Sequence, residues 1–290
     1  MTRSLTLSSP AKVNLRLEVL GRRADGYHEL QMVNLPLELA DTVELTPIDV
    51  GMELTCDDPA VPSDESNLAF RAALALRDLP SRPGMAPRRR GVRIRLTKRI
   101  PAAAGLGGGS SNAATVLRGL NDLWGLGLGD EDLAAIGVKL GADVPYFLHN
   151  RPTVVRGIGE ILEPIAVTAR ASAVLLNPGF GVSTKEVYGA LGLLPGARGA
   201  RSDLPERIDE FDALIRLMRN DLEMPVRRRH SEISQMKGYL LEKGAAGAMM
   251  SGSGPTVFGL FDAPDPPDVS AWDLPDERWR VIATRVTNEA

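Results

Sequence analysis

The chain has 290 residues, 43% of them hydrophobic and 24% charged, which excludes a disordered chain and leaves enough apolar side chains for one large domain or two ordinary ones. Its 34 Lys and Arg against 37 Asp and Glu give a net charge of -3, so no long-range field favours polyanions and a dedicated nucleic-acid binder is not expected. One cysteine, Cys56, excludes an internal disulfide, and His28, His149 and His230 stand far apart with no CxxC or HxxxH pair, which argues against a zinc site.

The start, MTRSLTLSSPAKVN, lacks the apolar run of a signal peptide. Val13, Leu15, Leu17 and Val19 then alternate with Asn14, Arg16 and Glu18, a period of two that predicts a strand with one polar face. A polar turn segment follows, Gly21 to Leu30, with Asp25-Gly26 as its turn signal. Val33, Leu35, Leu37 and Leu39 alternate again, and Val43 with Leu45, then Met52 with Leu54, predict further short strands. A helix is expected from about Asn67 to Leu79, with Ser66 placed to cap it. The basic tract Arg88 to Pro101 reads as an amphipathic strand, because Val92, Ile94 and Leu96 alternate with Arg93, Arg95 and Thr97.

A Gly-rich loop from Pro101 to Gly109 opens into a helix from about Ser110 to Trp124, where Ala113, Val116, Leu117 and Leu120 recur at helical spacing. The longest uncharged run, Ile100 to Leu117, is full of Gly, Ser, Asn and Pro, so no membrane span is expected and a cytoplasmic setting is. A second helix spans about Glu131 to Leu140 and ends at Gly141, and Val154-Val155 and Val174 to Leu176 read as strands. Composition shifts around Leu194 to Pro205. Arg207 to Lys243 reads as mostly helical, broken near Pro225, with Arg227 to His230 a solvated basic stretch of helix. Met249-Met250 and Thr256 to Phe261 flank a second Gly/Ser loop, Ser251 to Gly254. Residues 263–277 read as a surface loop and Val281 to Val286 as a last strand. Strands and helices in mixed order, without a repeat of fixed period, predict an α+β fold of two domains meeting near residues 155–175.

The segment PAAAGLGGGSSNAA, Pro101 to Ala114, carries the most chemistry. Gly105, Gly107, Gly108 and Gly109 let a ligand approach the backbone, and a helix start directly behind them offers free N–H groups and the positive end of the helix dipole. Ser110 and Ser111 add hydroxyl donors, and a phosphate chain fits this physics. No Gly-Lys-Ser/Thr follows, so it is not a Walker A loop, and Ser110 stands where a dinucleotide fingerprint needs its third glycine. A flexible surface loop is the alternative.

This loop, with PAKVNLRLEVLGRRADGYHEL (Pro10 to Leu30), LGADVPYF (Leu140 to Phe147) and SGSGPTVFGLF (Ser251 to Phe261), resembles the GHMP kinase superfamily over nearly the whole chain. The resemblance implies a two-domain α+β fold, with an ATP-binding domain at 1–160, a C-terminal domain at 161–290, and the active site in the cleft between them. It implies ATP as phosphoryl donor, with Mg2+ whose protein ligands stay unassigned beyond Ser111 as a candidate. Pro101, Ala102, Ala103, Ala104, Gly105, Leu106, Gly107, Gly108, Gly109, Ser110 and Ser111 would bind ATP. Asp143 would accept the proton of the acceptor hydroxyl, and Lys12 would hold that hydroxyl and pair with Asp143. For the segment DGYHEL the resemblance implies a small-molecule substrate bearing a cytidine diphosphate group, which Asn14, Tyr27 and His28 would hold, with Thr184 and Tyr188 contributing from NPGFGVSTKEVY.

Bland alternatives stand beside each residue. Asp143 before Val144-Pro145 suits a helix N-cap, Lys12 an exposed strand-end charge, Tyr27 a packed loop side chain, and Ser251 to Gly254 a tight hairpin turn. For the whole chain the alternatives are another small-molecule kinase of the superfamily, such as one acting on homoserine or mevalonate, or a catalytically dead relative.

Overall fold

The computed structural model of the chain describes residues 4–80, 90–197 and 199–288. Two long strands come first, β1 (Leu5–Arg22) and β2 (His28–Ile48), then β3 (Met52–Cys56), α1 (Leu68–Arg77) and β4 (Gly91–Thr97). Helices α2 (Gly108–Leu123), α3 (Asp130–Leu140) and α4 (Val144–His149) follow, then β5 (Thr153–Gly157), β6 (Ile161–Pro164), β7 (Ala166–Val167) and β8 (Ser172–Asn177). Next come α5 (Thr184–Gly189), β9 (Arg207–Ile208), α6 (Phe211–Leu217), β10 (Arg219–Asn220), α7 (Glu223–Arg227) and α8 (Glu232–Glu242). The chain closes with β11 (Gly247–Met250), β12 (Val257–Phe261) and β13 (Arg280–Arg285). This mixed order is the expected α+β arrangement.

The chain divides into two compact units that are discontinuous in sequence. The first holds the chain up to Ala11, Ala40–Ala102 and Gly107–Asn150; the second holds Lys12–Leu39, Ala103–Leu106 and the chain from Arg151 onward. In the first unit the far half of β2 pairs antiparallel with β4, Thr42 opposite Thr97 through Ile48 opposite Gly91, and β4 pairs in parallel with β3. Val43, Leu45, Val92, Ile94 and Leu96 are buried, while Arg93 lies exposed 2.6 Å from Glu53, the solvated charge expected of the basic tract. Arg88 and Arg89 of that tract lie outside the described residues. Helix α2 packs on α1, α3 and α4 through Ala113, Ala114, Val116, Leu117 and Leu120. Burial of each Leu or Val there contributes about 1.5–3 kcal/mol.

In the second unit the near half of β2 pairs with β5, Leu30 opposite Gly157 through Asn34 opposite Thr153, and β1 pairs in parallel with β10 at Arg16 and Leu17. A separate antiparallel sheet runs β11-β12-β8-β13, with α8 packed on β11 and β12. Tyr239 of α8 anchors the 263–277 loop, its hydroxyl donating to the Asp273 carbonyl at 2.8 Å. Among the described residues no helix is long and apolar enough to cross a membrane.

Several sequence expectations change here. The two alternating runs from Val33 to Leu45 are one continuous strand; Asp41 between them makes no turn, its side chain accepting instead from the backbone N–H groups of Arg99 and Ile100. Helix α1 is capped by Asn67, whose side chain accepts from the Ala69 N–H at 2.9 Å, while the Ser66 hydroxyl turns to Asp64. Pro225 does not break a helix; it sits in the first turn of α7, where its missing N–H removes only a donor that had no partner. The interruptions fall instead at residues 218–222 and 228–231, so Arg228 to His230 follow α7 in turns. The polar side of β1 is not solvated: Lys12, Asn14 and Glu18 are all buried, each paired with other polar groups.

Candidate active site

In the second unit, Lys12 and Asn14 sit two residues apart on one face of β1 and are only 3% and 1% exposed. Lys12 is therefore not the exposed strand-end charge of the bland alternative. Its Nζ donates to Asn14 Oδ1 at 2.5 Å, and Asn14 Nδ2 donates to Asn34 Oδ1 on β2 at 2.7 Å. An ammonium only donates, so it dictates which end of the Asn14 amide faces it and hence the polarity of the whole relay. Asn34 Nδ2 ends the relay as a buried donor without a partner, which costs about 1–3 kcal/mol. Nothing in the alternating pattern around Asn34 singles it out; a polar residue inside an apolar run is the one available signal.

The Ser251–Gly254 loop and part of the Gly-rich loop meet this same stretch of β1. The Asn14 N–H donates to Ser251 Oγ at 3.2 Å, Ser251 Oγ donates to the Gly105 carbonyl at 2.9 Å, and the Lys12 N–H donates to the Leu106 carbonyl at 3.1 Å. The second Gly/Ser loop is the expected tight turn, joining β11 to β12 and including a cis Gly254-Pro255 bond. It is held from below by Asn220, whose Nδ2 donates to the Met250 and Gly252 carbonyls at 2.7 and 2.8 Å. Thr184 is drawn to the same loop, its Oγ1 lying 2.8 Å from Ser253 Oγ.

Tyr27 lies on the turn before β2 and is 61% exposed, so it is not a packed loop tyrosine. The His28 and Tyr188 rings lie with centroids 4.9 Å apart, tilted by 30°. Burial, then the charge of Arg22, holds His28 below its ordinary 6.5. The ring is neutral at pH 7 and offers one donor and one acceptor nitrogen, the pair needed to read the polar edge of a base.

The first unit holds the rest of the predicted residues: Pro101, Ala102, Gly107 to Ser111, and Asp143. Gly107 occupies the N-cap of α2 at φ 73, a left-handed conformation that glycine adopts without strain. The helix begins at Gly108, two residues before the expected Ser110, so the amides of Gly108, Gly109 and Ser110 have no acceptor within the helix. Ser110 is half-buried. Ser111 is fully buried, its Oγ accepting from Ser9 Oγ at 2.9 Å, so this hydroxyl serves the interior.

Asp143 takes the N-cap position of α4 but makes no capping bond with its side chain, unlike the N-cap of the bland alternative. Three residues on, Tyr146 is buried with its hydroxyl unpartnered. Burial first, and the negative charge of Asp143 second, push that hydroxyl well above the ordinary 10.0. Among the described residues no three His, Cys, Asp or Glu side chains cluster to hold a metal ion.

Residues 67–151 match the GHMP kinases N terminal domain, and residues 200–271 match the GHMP kinases C terminal family. A protein of Geobacter sp. (strain M21) named 4-diphosphocytidyl-2-C-methyl-D-erythritol kinase is 45% identical over 285 residues, covering 98% of this chain and 99% of its own. Its namesake in Geobacter sulfurreducens is 44% identical over 285 residues, with the same coverage of 98% and 99%. The crystal structure of a 4-(cytidine 5'-diphospho)-2C-methyl-D-erythritol kinase, 39% identical, superposes with a TM-score of 0.77 over 98% of this chain and all of that one (100%). A homoserine kinase from Cytophaga hutchinsonii, only 20% identical, shares the fold with a TM-score of 0.69 over 100% of this chain and 96% of that one.

Proposed function

Because the chain belongs to the GHMP kinases, and among them to the 4-diphosphocytidyl-2-C-methyl-D-erythritol kinases, we propose that it transfers the terminal phosphoryl group of ATP to the 2-hydroxyl of 4-diphosphocytidyl-2-C-methyl-D-erythritol. The products are the 2-phosphate and ADP, and the reaction is a step of the non-mevalonate isoprenoid precursor pathway. The observation that carries the reaction class is the left-handed Gly107 opening α2, which leaves three amides at a helix start for an anion.

The residue roles follow from the resemblance and from elementary phosphoryl-transfer chemistry. Pro101 to Ser111 cradle the ATP phosphates, with Ser110 the better-placed hydroxyl because Ser111 is engaged by Ser9. Asp143 accepts the proton of the attacking hydroxyl, and Lys12, oriented by Asn14, holds that hydroxyl in line. Positioning of the hydroxyl carries more of the rate than the strength of the base, as a loose transition state allows. Tyr27 and Tyr188 offer ring faces to the cytosine, and His28 reads its edge. Thr184 contacts the substrate beside the Ser251–Gly254 loop.

Mg2+ belongs to the same proposal. In the absence of a three-residue cluster among the described side chains, the donor set fits an ion carried on the nucleotide phosphates and water, with Ser110 the available hydroxyl. When bound, the ion offsets phosphate charge. The division into an ATP-binding part at 1–160 and a C-terminal part at 161–290, and a cytoplasmic location, are further parts of this reading.

The test is a coupled ADP-release assay with Mg-ATP and the cytidine substrate, with homoserine and mevalonate alongside. Release with the cytidine substrate alone is expected. Lys12→Ala and Asp143→Ala should each still fold cooperatively, Lys12→Ala with a lowered melting temperature because buried Asn14 Oδ1 loses its donor, while each loses about 10²–10⁴-fold in turnover. Two active variants would refute the roles, and a folded wild-type chain that releases no ADP would refute the function.

A further inference from the structure

We infer that Asp41 is the positioning residue of the Gly-rich loop, tying the strand that enters the loop to the helix that leaves it; the inference rests on that loop binding the nucleotide. Asp41 is 1% exposed, and its carboxylate uses both oxygens. Oδ1 accepts from the backbone N–H groups of Arg99 and Ile100, at 2.8 and 2.9 Å, immediately before Pro101. Oδ2 accepts from Asn112 Nδ2 at 3.0 Å, immediately after Ser111, and from the Lys98 ammonium. Lys98 also donates to Asn112 Oδ1 at 3.1 Å. Asn112 Nδ2 donates further to Ser9 Oγ at 2.8 Å, and Ser9 in turn donates to Ser111. All of these residues belong to the first compact unit.

One buried side chain therefore spans both stems of the loop Pro101–Ser111. A buried ion pair is weak evidence for stability, since apolar residues of similar volume hold a core as well. What apolar residues lack is direction. Two backbone donors on one stem and an amide on the other reach one carboxylate only when the strand exit and the first turn of α2 are in a fixed register. Gly107, at φ 73 between the stems, then presents the α2 amides in one orientation before any nucleotide arrives. Sequence pattern assigns Asp41 and Lys98 no role, because each reads as an ordinary surface charge at a strand end.

The test exchanges the two ends of the Asp41–Asn112 bond. Asp41→Asn sets two amide groups against each other, and Asn112→Asp sets two carboxylates together. The double variant restores one carboxylate, one amide and the Lys98 partner, while Asn at position 41 keeps a carbonyl for Arg99 and Ile100. Titration with ADP and with a non-hydrolysable ATP analogue should give about tenfold or greater weakening in each single variant and recovery to within about threefold in the double. The KM for the cytidine substrate should stay unchanged in all three, a split that a general loss of folding would not give. Melting curves identify any single variant that does not fold, and for that case Asn112→Ala removes the link without a charge clash and should weaken nucleotide binding alone. Nucleotide affinity that is unchanged in folded single variants, or additive losses in the double, would overturn the clamp. A wild-type chain that binds no nucleotide would instead refute the assignment of the loop.

Discussion

Gly105→Ala places a methyl group where backbone already stands. Gly105 adopts φ 76, and a Cβ there would overlap the Ser251 carbonyl oxygen well inside the 3.0 Å that real Cβ atoms respect, with Gly254 N and Ser251 C at 3.1 Å. These neighbours are backbone and cannot rotate away, and the Gly105 carbonyl is itself held by Ser251 Oγ at 2.9 Å. The left-handed conformation costs an alanine about 1–2 kcal/mol. Overpacking adds about 1–3 kcal/mol, for a total of about 2–5 kcal/mol. At about 2–4 °C per kcal/mol for a large domain, the melting temperature should fall by about 4–20 °C. If the loop shifts to relieve the overlap, part of the loss moves into the KM for ATP. Gly109→Ala is the contrast: its Cβ would meet only Leu68 Cδ1 at 3.9 Å and would sit inside a helix. That variant should keep or gain up to about 1 kcal/mol of stability while weakening nucleotide binding, because the methyl crowds the phosphate approach. A Gly105→Ala protein that melts with the wild type and keeps its KM for ATP would refute the packing argument.

Glu18 should govern part of the acid limb of stability. Burial pushes its carboxyl up, but bonds from Arg16, Ser202 and Gln31 and the charge of Arg16 outweigh that and hold it at about 2, against 4.5 unfolded. A depressed folded value stabilises the fold above about 4.5, and the contribution, up to about 3 kcal/mol, is lost as pH falls from there toward 2. Denaturant melts of Glu18→Gln across that range should show a flatter pH dependence than the wild type, and parallel curves would count against it. Lowered His28 has the same sign: the unfolded chain binds its proton more readily, so stability should decline as pH drops below 6.5, and His28→Gln should remove that part of the decline. Tyr27→Ala should raise the KM for the cytidine substrate by about 5- to 100-fold with the KM for ATP unchanged, since base–aromatic stacking is worth about 1–3 kcal/mol; an equal effect on both would remove Tyr27 from the base site.

Local pattern made much of this protein legible. The period of two in Val92, Ile94 and Leu96 and the helical spacing of Ala113, Val116, Leu117 and Leu120 both give the elements observed. A glycine run feeding an apolar-faced helix already implies an anion site, because glycine's freedom and the free amides of a first turn are properties of neighbouring residues. Periodicity failed where burial of a polar face was at stake. Lys12, Asn14 and Glu18 alternate with apolar neighbours as solvent-facing residues would, and only tertiary contacts turn that face inward. Asn14 finds Ser251 across 237 positions of chain, and Asp41 finds Lys98 across 57. Composition and spacing determined the elements, the loop and its chemistry. The register of that loop, and the direction in which each buried amide and carboxylate points, were decided by the tertiary structure, because a hydrogen bond depends on where both partners stand and one-dimensional pattern carries only the nearer of them.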